Sequence, residues 1–149
     1  MSMPLTRVKE SLTGMVRTIE EVAPQRININ AEPRDVKSIF RKLLEDFKND
    51  FYLDFVAAVD YVEDKQFEVN YVVWVYSLKT ILSIRFRLPK ENPNLDTISD
   101  LIPSAINHEK EAYDLMGITF SGNSELKRGF FVAEGINEFP LVKNEVKKA

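Results

Sequence analysis

Three consecutive runs of alternating apolar residues, between residues 51 and 88, constrain the fold of this chain most strongly. The runs cover residues 51–61, 66–76 and 80–88, and turns of about three residues separate them. Alternation with a period of two predicts strands, and connections this short can join only antiparallel neighbours. On the core face of the first strand we expect Phe51, Leu53, Phe55, Ala57 and Val59.

Helical patterns flank these strands. Residues 1–25 resemble a charged amphipathic helix that ends at Pro24, and residues 26–30 alternate like a short strand. A second helix is predicted from Glu32 and Pro33 to about residue 49, and a third from about residue 97 to 116. The predicted order is (α)βαβββα, an α+β fold with an antiparallel sheet and helices packed on it.

Length and composition indicate one folded unit followed by an arm. A chain of 149 residues can bury a usable core. We predict an α+β domain with its N-terminal helix over residues 1–117, and an extended C-terminal arm over residues 118–149 that contacts other subunits. The arm has no clear period but carries five apolar anchors, Phe120, Phe130, Phe131, Phe139 and Leu141.

Charge and cysteine content exclude several function classes. The net charge of −3 gives no electrostatic basis for binding nucleic acid or an anionic membrane surface. The chain has no cysteine, which excludes disulfides, thiolate zinc sites and cysteine-held iron–sulfur clusters within it. It also lacks the apolar core of a secretory signal and any run long enough to span a bilayer.

The second strand has an unusual outer face. Val72, Trp74 and Tyr76 make its final half apolar and aromatic, and Ile81 of the third strand extends the patch. A strip of this kind on the usually polar face of a sheet predicts a covered surface. The cover is either the N-terminal helix or another protein. With Arg85 and Arg87 the sheet resembles RNA-binding sheets, but their aromatic and glycine signature is absent.

Glu109 is the anomaly of the third helix. It falls on the apolar stripe formed by Ile102, Ala105, Ile106, Glu109, Ala112, Tyr113 and Met116, and Gly117 then ends the helix. A carboxylate in such a place needs a cation or hydrogen-bond donors. Three interpretations stay open: an internal ion pair with Arg85 or Arg87, a partner at a subunit interface, and a catalytic acid.

Other candidate chemistry is sparse. His108 is the only histidine, so the chain offers no histidine cluster for a metal and no serine-type triad. The five glycines are scattered and form no phosphate loop. Glu109, Glu111 and Asp114 could suggest a carboxylate metal site, but their spacing spreads them over two faces of the helix. These patterns therefore indicate no metal-binding or phosphate-binding residue in this chain.

Residues 109–122, EKEAYDLMGITFSG, resemble the signature of the 30-kilodalton subunit of NADH–quinone oxidoreductase, or respiratory complex I, and related membrane-bound hydrogenase-type complexes. That signature reads Glu-Arg-Glu, Asp, Gly and Phe at the same spacing, then Gly-His-Pro and basic residues. The similarity extends over roughly residues 30–143. The matching positions, which we predict to be interface residues, are Glu109, Lys110, Glu111, Tyr113, Asp114, Gly117, Phe120, Gly122, Leu126, Lys127 and Arg128.

The resemblance implies a structural role, with no catalytic, cofactor-binding or metal-binding residue in this chain. In the family this subunit holds no redox cofactor and packs against the large quinone-site subunit and the adjacent iron–sulfur subunit, on the cytoplasmic side of the membrane. Iron–sulfur clusters and quinone are then expected in neighbouring subunits, and Glu109 is expected to be ion-paired near an interface. The alternatives are the equivalent subunit of a hydrogenase-type complex and a stand-alone protein-interaction module. Lys110, Met116, Gly129 and the pair Asn123-Ser124 depart from the signature and indicate a divergent branch.

Overall fold

The computed structural model describes residues 1–126 together with Phe139 and Val142. Three helices and seven strands make up the described fold. The helices are α1 (Met3–Leu12), α2 (Val36–Asp46) and α3 (Ala105–Met116), and a 3-10 turn at Pro33–Asp35 leads into α2. The strands are β1 (Thr18–Ala23), β2 (Arg26–Ala31), β3 (Phe51–Tyr61), β4 (Gln66–Val75), β5 (Thr80–Pro89), β6 (Asn94–Asp96) and β7 (Thr119–Ser121).

The main sheet has five strands in the order β1-β2-β5-β4-β3. The predicted antiparallel set β3, β4 and β5 is confirmed, and so is the α+β class. The sheet is nevertheless mixed, because β2 pairs with β5 in parallel. The chain passes through α2 and two further strands before it returns beside β2, which makes a parallel pairing possible. Within the described part of the chain, no helix is long and apolar enough to cross a bilayer.

The core lies between one face of the sheet and the helices α1 and α2. Val8 and Leu12 of α1 and Phe40 of α2 are fully buried. The ring of Phe40 packs edge-on against Tyr71 of β4, with 5.1 Å between centroids, and Tyr71 packs in turn against Phe86 of β5 at 5.6 Å. Aromatic pairs in this arrangement add to the burial energy of their side chains. These three rings therefore bind α2 to the centre of the sheet.

The strand β1 is absent from the sequence-based prediction. That prediction extends the N-terminal helix through residues 18–23, but α1 ends at Leu12 and β1 pairs antiparallel with β2. Two backbone positions cause the difference. Gly14 has φ +89° just after the helix, and Gln25 has φ 63° in the tight turn between the strands. Glycine and asparagine usually occupy such a turn, so a glutamine there hides the hairpin from a sequence reading.

A β-bulge in β3 corrects the predicted faces of that strand. Leu53 pairs with Val73 and Phe55 with Val72, so Asp54 is the extra residue. Beyond the bulge the alternation changes phase. Phe55 and Val59, which we expected in the core, are 44% and 39% exposed, while Val56 and Ala58 pack on the core. Asp60 is buried on the core face, where its carboxylate pairs with Lys90.

Candidate functional site

Glu109 is the first residue of the signature segment and is fully buried. Three donors of its own chain surround the carboxylate. The hydroxyl of Thr97 and the side-chain amide of Asn123 donate to Oε1, the latter at 3.0 Å, and the backbone N–H of Ile98 donates to Oε2 at 3.0 Å. A carboxylate that accepts several hydrogen bonds is far less costly to bury than a bare one. The carboxylate thus ties α3 to the segments before and after it.

The parallel pairing of β6 with β7 positions these donors. Leu95 lies opposite Phe120, and the N–H of Thr97 donates to the carbonyl of Ser121 at 2.8 Å. This two-stranded sheet brings the lead-in segment beside the loop that follows α3. Thr97 and Asn123 consequently reach the same carboxylate, although 26 positions separate them in the sequence.

The predicted ion pair of Glu109 with Arg85 or Arg87 is wrong. Both arginines pair with Glu68 instead, through Nε at 3.9 Å for Arg85 and 2.9 Å for Arg87. Their side chains alternate along β5 with those of the core residues and therefore lie on the outer face of the sheet. Among the described residues no lysine or arginine forms a salt bridge with Glu109. The subunit-interface and catalytic-acid interpretations of Glu109 stay predictions.

Burial raises the pKa of Glu109, and the hydrogen bonds from Thr97, Ile98 and Asn123 lower it in part. The negative charge of Asp100 raises it slightly further. Burial also raises the pKa of the Tyr71 hydroxyl well above its usual value, and the nearby carboxylate of Glu109 adds to that shift. The Tyr71 hydroxyl is buried without a hydrogen-bond partner among the described residues. The site is therefore a buried carboxyl group surrounded by neutral donors.

The two signature glycines are required by backbone geometry and space. Gly117 ends α3 in the left-handed region at φ 78°, and Gly122 has φ 96°. A Cβ atom at position 117 would lie 2.9 Å from the ring of Phe139, and one at position 122 would lie 2.9 Å from Cγ2 of Thr97. The predicted helix stop at Gly117 is confirmed. Gly122 allows the loop to approach Thr97 closely enough for the Glu109 contacts.

The remaining predicted residues divide between core and surface. Lys110 and Asp114 lie outside the predicted apolar stripe of α3, yet both are buried, and each has an interaction partner. A single apolar stripe predicts a helix with one buried face, whereas α3 is buried on more than one face. Phe120 is buried in the core, whereas Tyr113 and Leu126 are half-buried and Glu111 is exposed. Lys127, Arg128, Phe130, Phe131 and Leu141 lie outside the described residues.

Sequence reasoning missed the donors around Glu109. The sequence pattern singles out Asn123 only as a departure from the signature and gives Thr97 no role. Chemistry offered a signal, because an inward carboxylate needs donors and the segments flanking α3 contain Thr97, Ser99 and Asn123. The backbone N–H of Ile98 carries no residue-type signal at all.

The outer face of β3 and β4 forms the second feature of the site. Tyr52 and Tyr76 are 43% and 52% exposed, and their rings lie 5.4 Å apart. Phe55 and Val59 extend this surface along β3. The N-terminal helix does not cover it, because α1 packs against α2 and β1 on the other side of the sheet. We call Tyr52, Phe55, Val59, Trp74 and Tyr76 the aromatic strip.

No metal centre is indicated in the described part of the chain, where no three histidine or carboxylate side chains come together as a metal site requires.

Of the predicted arm, Ile118 and Phe120 are buried with the core, and Phe139 and Val142 contact the same domain. The extended arm over residues 118–149 stays a prediction.

Two curated proteins are similar to this chain in sequence. The C subunit of the F(420)H(2) dehydrogenase of Methanosarcina mazei is 30% identical over 139 residues, which is 91% of this chain and 87% of that protein. The C subunit of the NADH-quinone oxidoreductase of Moorella thermoacetica is 34% identical over 77 residues, 52% of each chain.

Two solved structures share the fold. A chain of an archaeal membrane-bound sulfane sulfur reductase superposes with a TM-score of 0.79 at 19% identity, over 90% of this chain and 79% of that one. A trypsin-resistant fragment of Nqo5 superposes with a TM-score of 0.70 at 26% identity, over 83% of this chain and 100% of the fragment. The sequence profile described as "Respiratory-chain NADH dehydrogenase, 30 Kd subunit" matches residues 29–148. The chain therefore belongs to the 30-kilodalton subunit family of the respiratory-chain NADH dehydrogenase.

Proposed function

We propose that this chain is a non-catalytic structural subunit in the peripheral arm of a membrane-associated oxidoreductase complex. Its neighbours are the large quinone-site subunit and the adjacent iron–sulfur subunit, and they hold the redox groups. The aromatic strip is the observation that carries the proposal. Large aromatic side chains exposed together on a sheet face mark a surface that another protein covers.

The buried carboxylate supports a structural role rather than a chemical one. All donors to Glu109 among the described residues come from its own chain, and the side chain is closed to solvent. A catalytic acid needs access to a reacting group. In our proposal Glu109 fixes the shape of the signature segment, and Glu111 and the aromatic strip meet the neighbouring subunits.

The electron donor is a separate part of the proposal. The Methanosarcina relative is named for F(420)H(2), and the Moorella relative for NADH. The match to the former is the longer one, so we propose that the donor is a reduced carrier other than NADH. The equivalent subunit of a hydrogenase-type complex is the second candidate, and the fold shared with the sulfane sulfur reductase is compatible with it.

Affinity purification of the tagged chain from detergent-solubilised membranes tests the structural role. We expect equimolar recovery of a large quinone-site subunit and an iron–sulfur subunit, identified by mass spectrometry. Reduction of the isolated complex by F(420)H(2) but not by NADH would support the proposed donor. Recovery of the chain alone as a monomer would overturn the proposed function and favour a stand-alone interaction module.

A further inference from the structure

The strand β3 forms one edge of the main sheet. It is 11 residues long and pairs only with β4 among the described strands. Half of its backbone N–H and C=O groups therefore point away from the sheet without a strand partner. Long, exposed edges are templates for pairing with another chain, and proteins normally block them.

The side chains along this edge favour a partner. The bulge at Asp54 places Phe55 and Val59 on the exposed face, with Ala57 between them. Edges that avoid pairing usually carry lysine, proline or an inward charge that prevents contact. The stretch from Phe55 to Val59 contains only apolar residues. The edge carries two of the usual protective features, the bulge at Asp54 and the inward charge of Asp60, but both lie outside this apolar stretch.

A groove of about 350 Å³ lies beside this edge, between β3 and α3. Residues 55–58 form one wall, and Ala112, Leu115 and Met116 of α3 contribute to the other. Its apolar lining suits an aliphatic or aromatic side chain. The groove and the free backbone edge are adjacent, so one extended segment can occupy both.

Charge restricts the chemistry of that segment. Glu111 and His108 also line the groove, and Asp54 directly precedes Phe55. Glu111 and Asp54 are exposed, and neither forms a salt bridge with any described residue. An exposed carboxylate in the lining of an apolar groove, with a second one next to it in the chain at Asp54, attracts a cation. A lysine or arginine next to an apolar anchor is the complementary pattern.

We propose that an extended segment of a partner subunit adds a strand to the outer edge of β3. Its apolar side chain enters the groove against α3, and its lysine or arginine pairs with Glu111. Main-chain hydrogen bonds then supply affinity, and the groove and the carboxylate supply specificity. This inference rests on the proposed function, because the segment belongs to a neighbour in the same complex.

Hydrogen exchange on the purified full chain and on the purified complex tests the added strand. Alternate amides of residues 55–61 should exchange at least about tenfold more slowly in the complex than in the chain alone. Equal exchange rates in both, while the chain stays bound in the complex, would overturn the inference and leave the proposed function intact. Failure to find any complex would count against the proposed function itself.

Photo-cross-linking identifies the occupant. With p-benzoylphenylalanine in place of Phe55, the complex should yield one cross-linked partner segment that contains an apolar residue beside a lysine or arginine. The same label in place of Val22, which is 48% exposed on the opposite edge strand, is the matched control and should not capture that segment. Capture of a second copy of this chain, of its own residues 127–149, or of no segment would overturn the inference.

Charge reversal tests the specificity. Glu111→Lys should lower the amount of chain recovered in the complex, whereas Glu45→Lys on the exposed side of α2 should leave recovery unchanged. A circular dichroism melt separates misfolding from lost binding. Equal recovery of both folded variants would contradict the proposed role of Glu111.

Discussion

Burial of the Glu109 carboxylate would be destabilising without hydrogen-bond donors. With its donors in place, the carboxylate holds the signature segment together. Its carboxylate accepts hydrogen bonds from Thr97, Ile98 and Asn123, which belong to two segments on either side of α3. Each of these donors is buried or half-buried. The contacts therefore stabilise one arrangement of the whole signature segment.

Removing this carboxylate should destabilise the purified chain. Glu109→Ala should lower the free energy of unfolding by at least about 3 kcal/mol, because three donors lose their acceptor and a buried donor left unpaired costs about 1–3 kcal/mol. Glu109→Gln keeps an acceptor oxygen and should cost less. Urea denaturation measures both, with exposed Glu45→Ala as the control, expected within about 0.5 kcal/mol of wild type. Equal stability of Glu109→Ala and the control would contradict the role we assign to Glu109.

The raised pKa of Glu109 predicts a pH effect of defined sign. Burial disfavours the charged form, so the folded state binds a proton more tightly than the unfolded chain. This stabilisation is fully present below the unfolded pKa of about 4.3 and is lost as the pH rises through the higher folded pKa. The stability of wild type relative to Glu109→Gln should therefore fall over that range. A difference that is constant or rises with pH would contradict the assignment.

Among the elements, the loop that follows α3 depends on its glycines. Gly117→Ala and Gly122→Ala should each lower the free energy of unfolding by about 2 kcal/mol or more, since each combines backbone strain with a close contact. Gly14→Ala is the matched control, because its φ is +89° but a Cβ there meets no atom within 4 Å. Gly14→Ala should therefore lower the free energy of unfolding only by the cost of the backbone strain. Thermal melts that rank Gly14→Ala as the most damaging would contradict this explanation.

A second prediction at the level of secondary structure concerns the bulge in β3. Asp54 has no position in the pairing register, so its deletion should keep Leu53 opposite Val73 and Phe55 opposite Val72. Deletion of Ala57 instead shifts every later residue of the strand to the other face. Urea denaturation should show a small loss for the first deletion and a loss about 2 kcal/mol or more larger for the second. Equal losses would contradict the register.

Periodicity predicted the elements whose pattern reflects burial. The strands β3 to β5, the short strand β2 and the helix stop at Gly117 all follow from local sequence. The strand β1 did not, because an unusual turn residue, Gln25, hides its hairpin. The bulge at Asp54 was also invisible, since an aspartate in an alternating run resembles an ordinary outward residue.

The sequence predicted which residues belong to the site but not the contacts between them. The signature identified Glu109, Gly117, Phe120 and Gly122, and the structure brings all four together around one loop. Its donors could not be predicted, because the β6–β7 pairing that presents them is only three residues long and parallel. A pairing that short leaves little pattern in the sequence.

At the scale of the whole molecule, two sides of the sheet have different roles. One side is filled by α1, α2 and the aromatic core around Tyr71. The other side carries the aromatic strip, which ends at the open edge of β3. A domain that completes its core on one side and leaves aromatics exposed on the other is suited to assembly.

The aromatic strip predicts how assembly should fail. The double substitution Tyr52→Ser and Tyr76→Ser should leave the melting temperature of the chain nearly unchanged, because both side chains are about half exposed. The same variant should be depleted from the complex, since exposed aromatics commonly dominate binding energy. Val22→Ser, on the opposite edge strand, serves as the control. Wild-type incorporation of the double variant would exclude the strip as an interface.

The size of the particle that contains the native, untagged chain tests the central claim most directly. Membranes are solubilised in mild detergent, and the chain is followed by antibody through size-exclusion chromatography. We predict that nearly all of it elutes in one large particle together with redox-active subunits, at a constant ratio across the peak. Elution at the 17.2 kDa expected for the single chain would contradict the account.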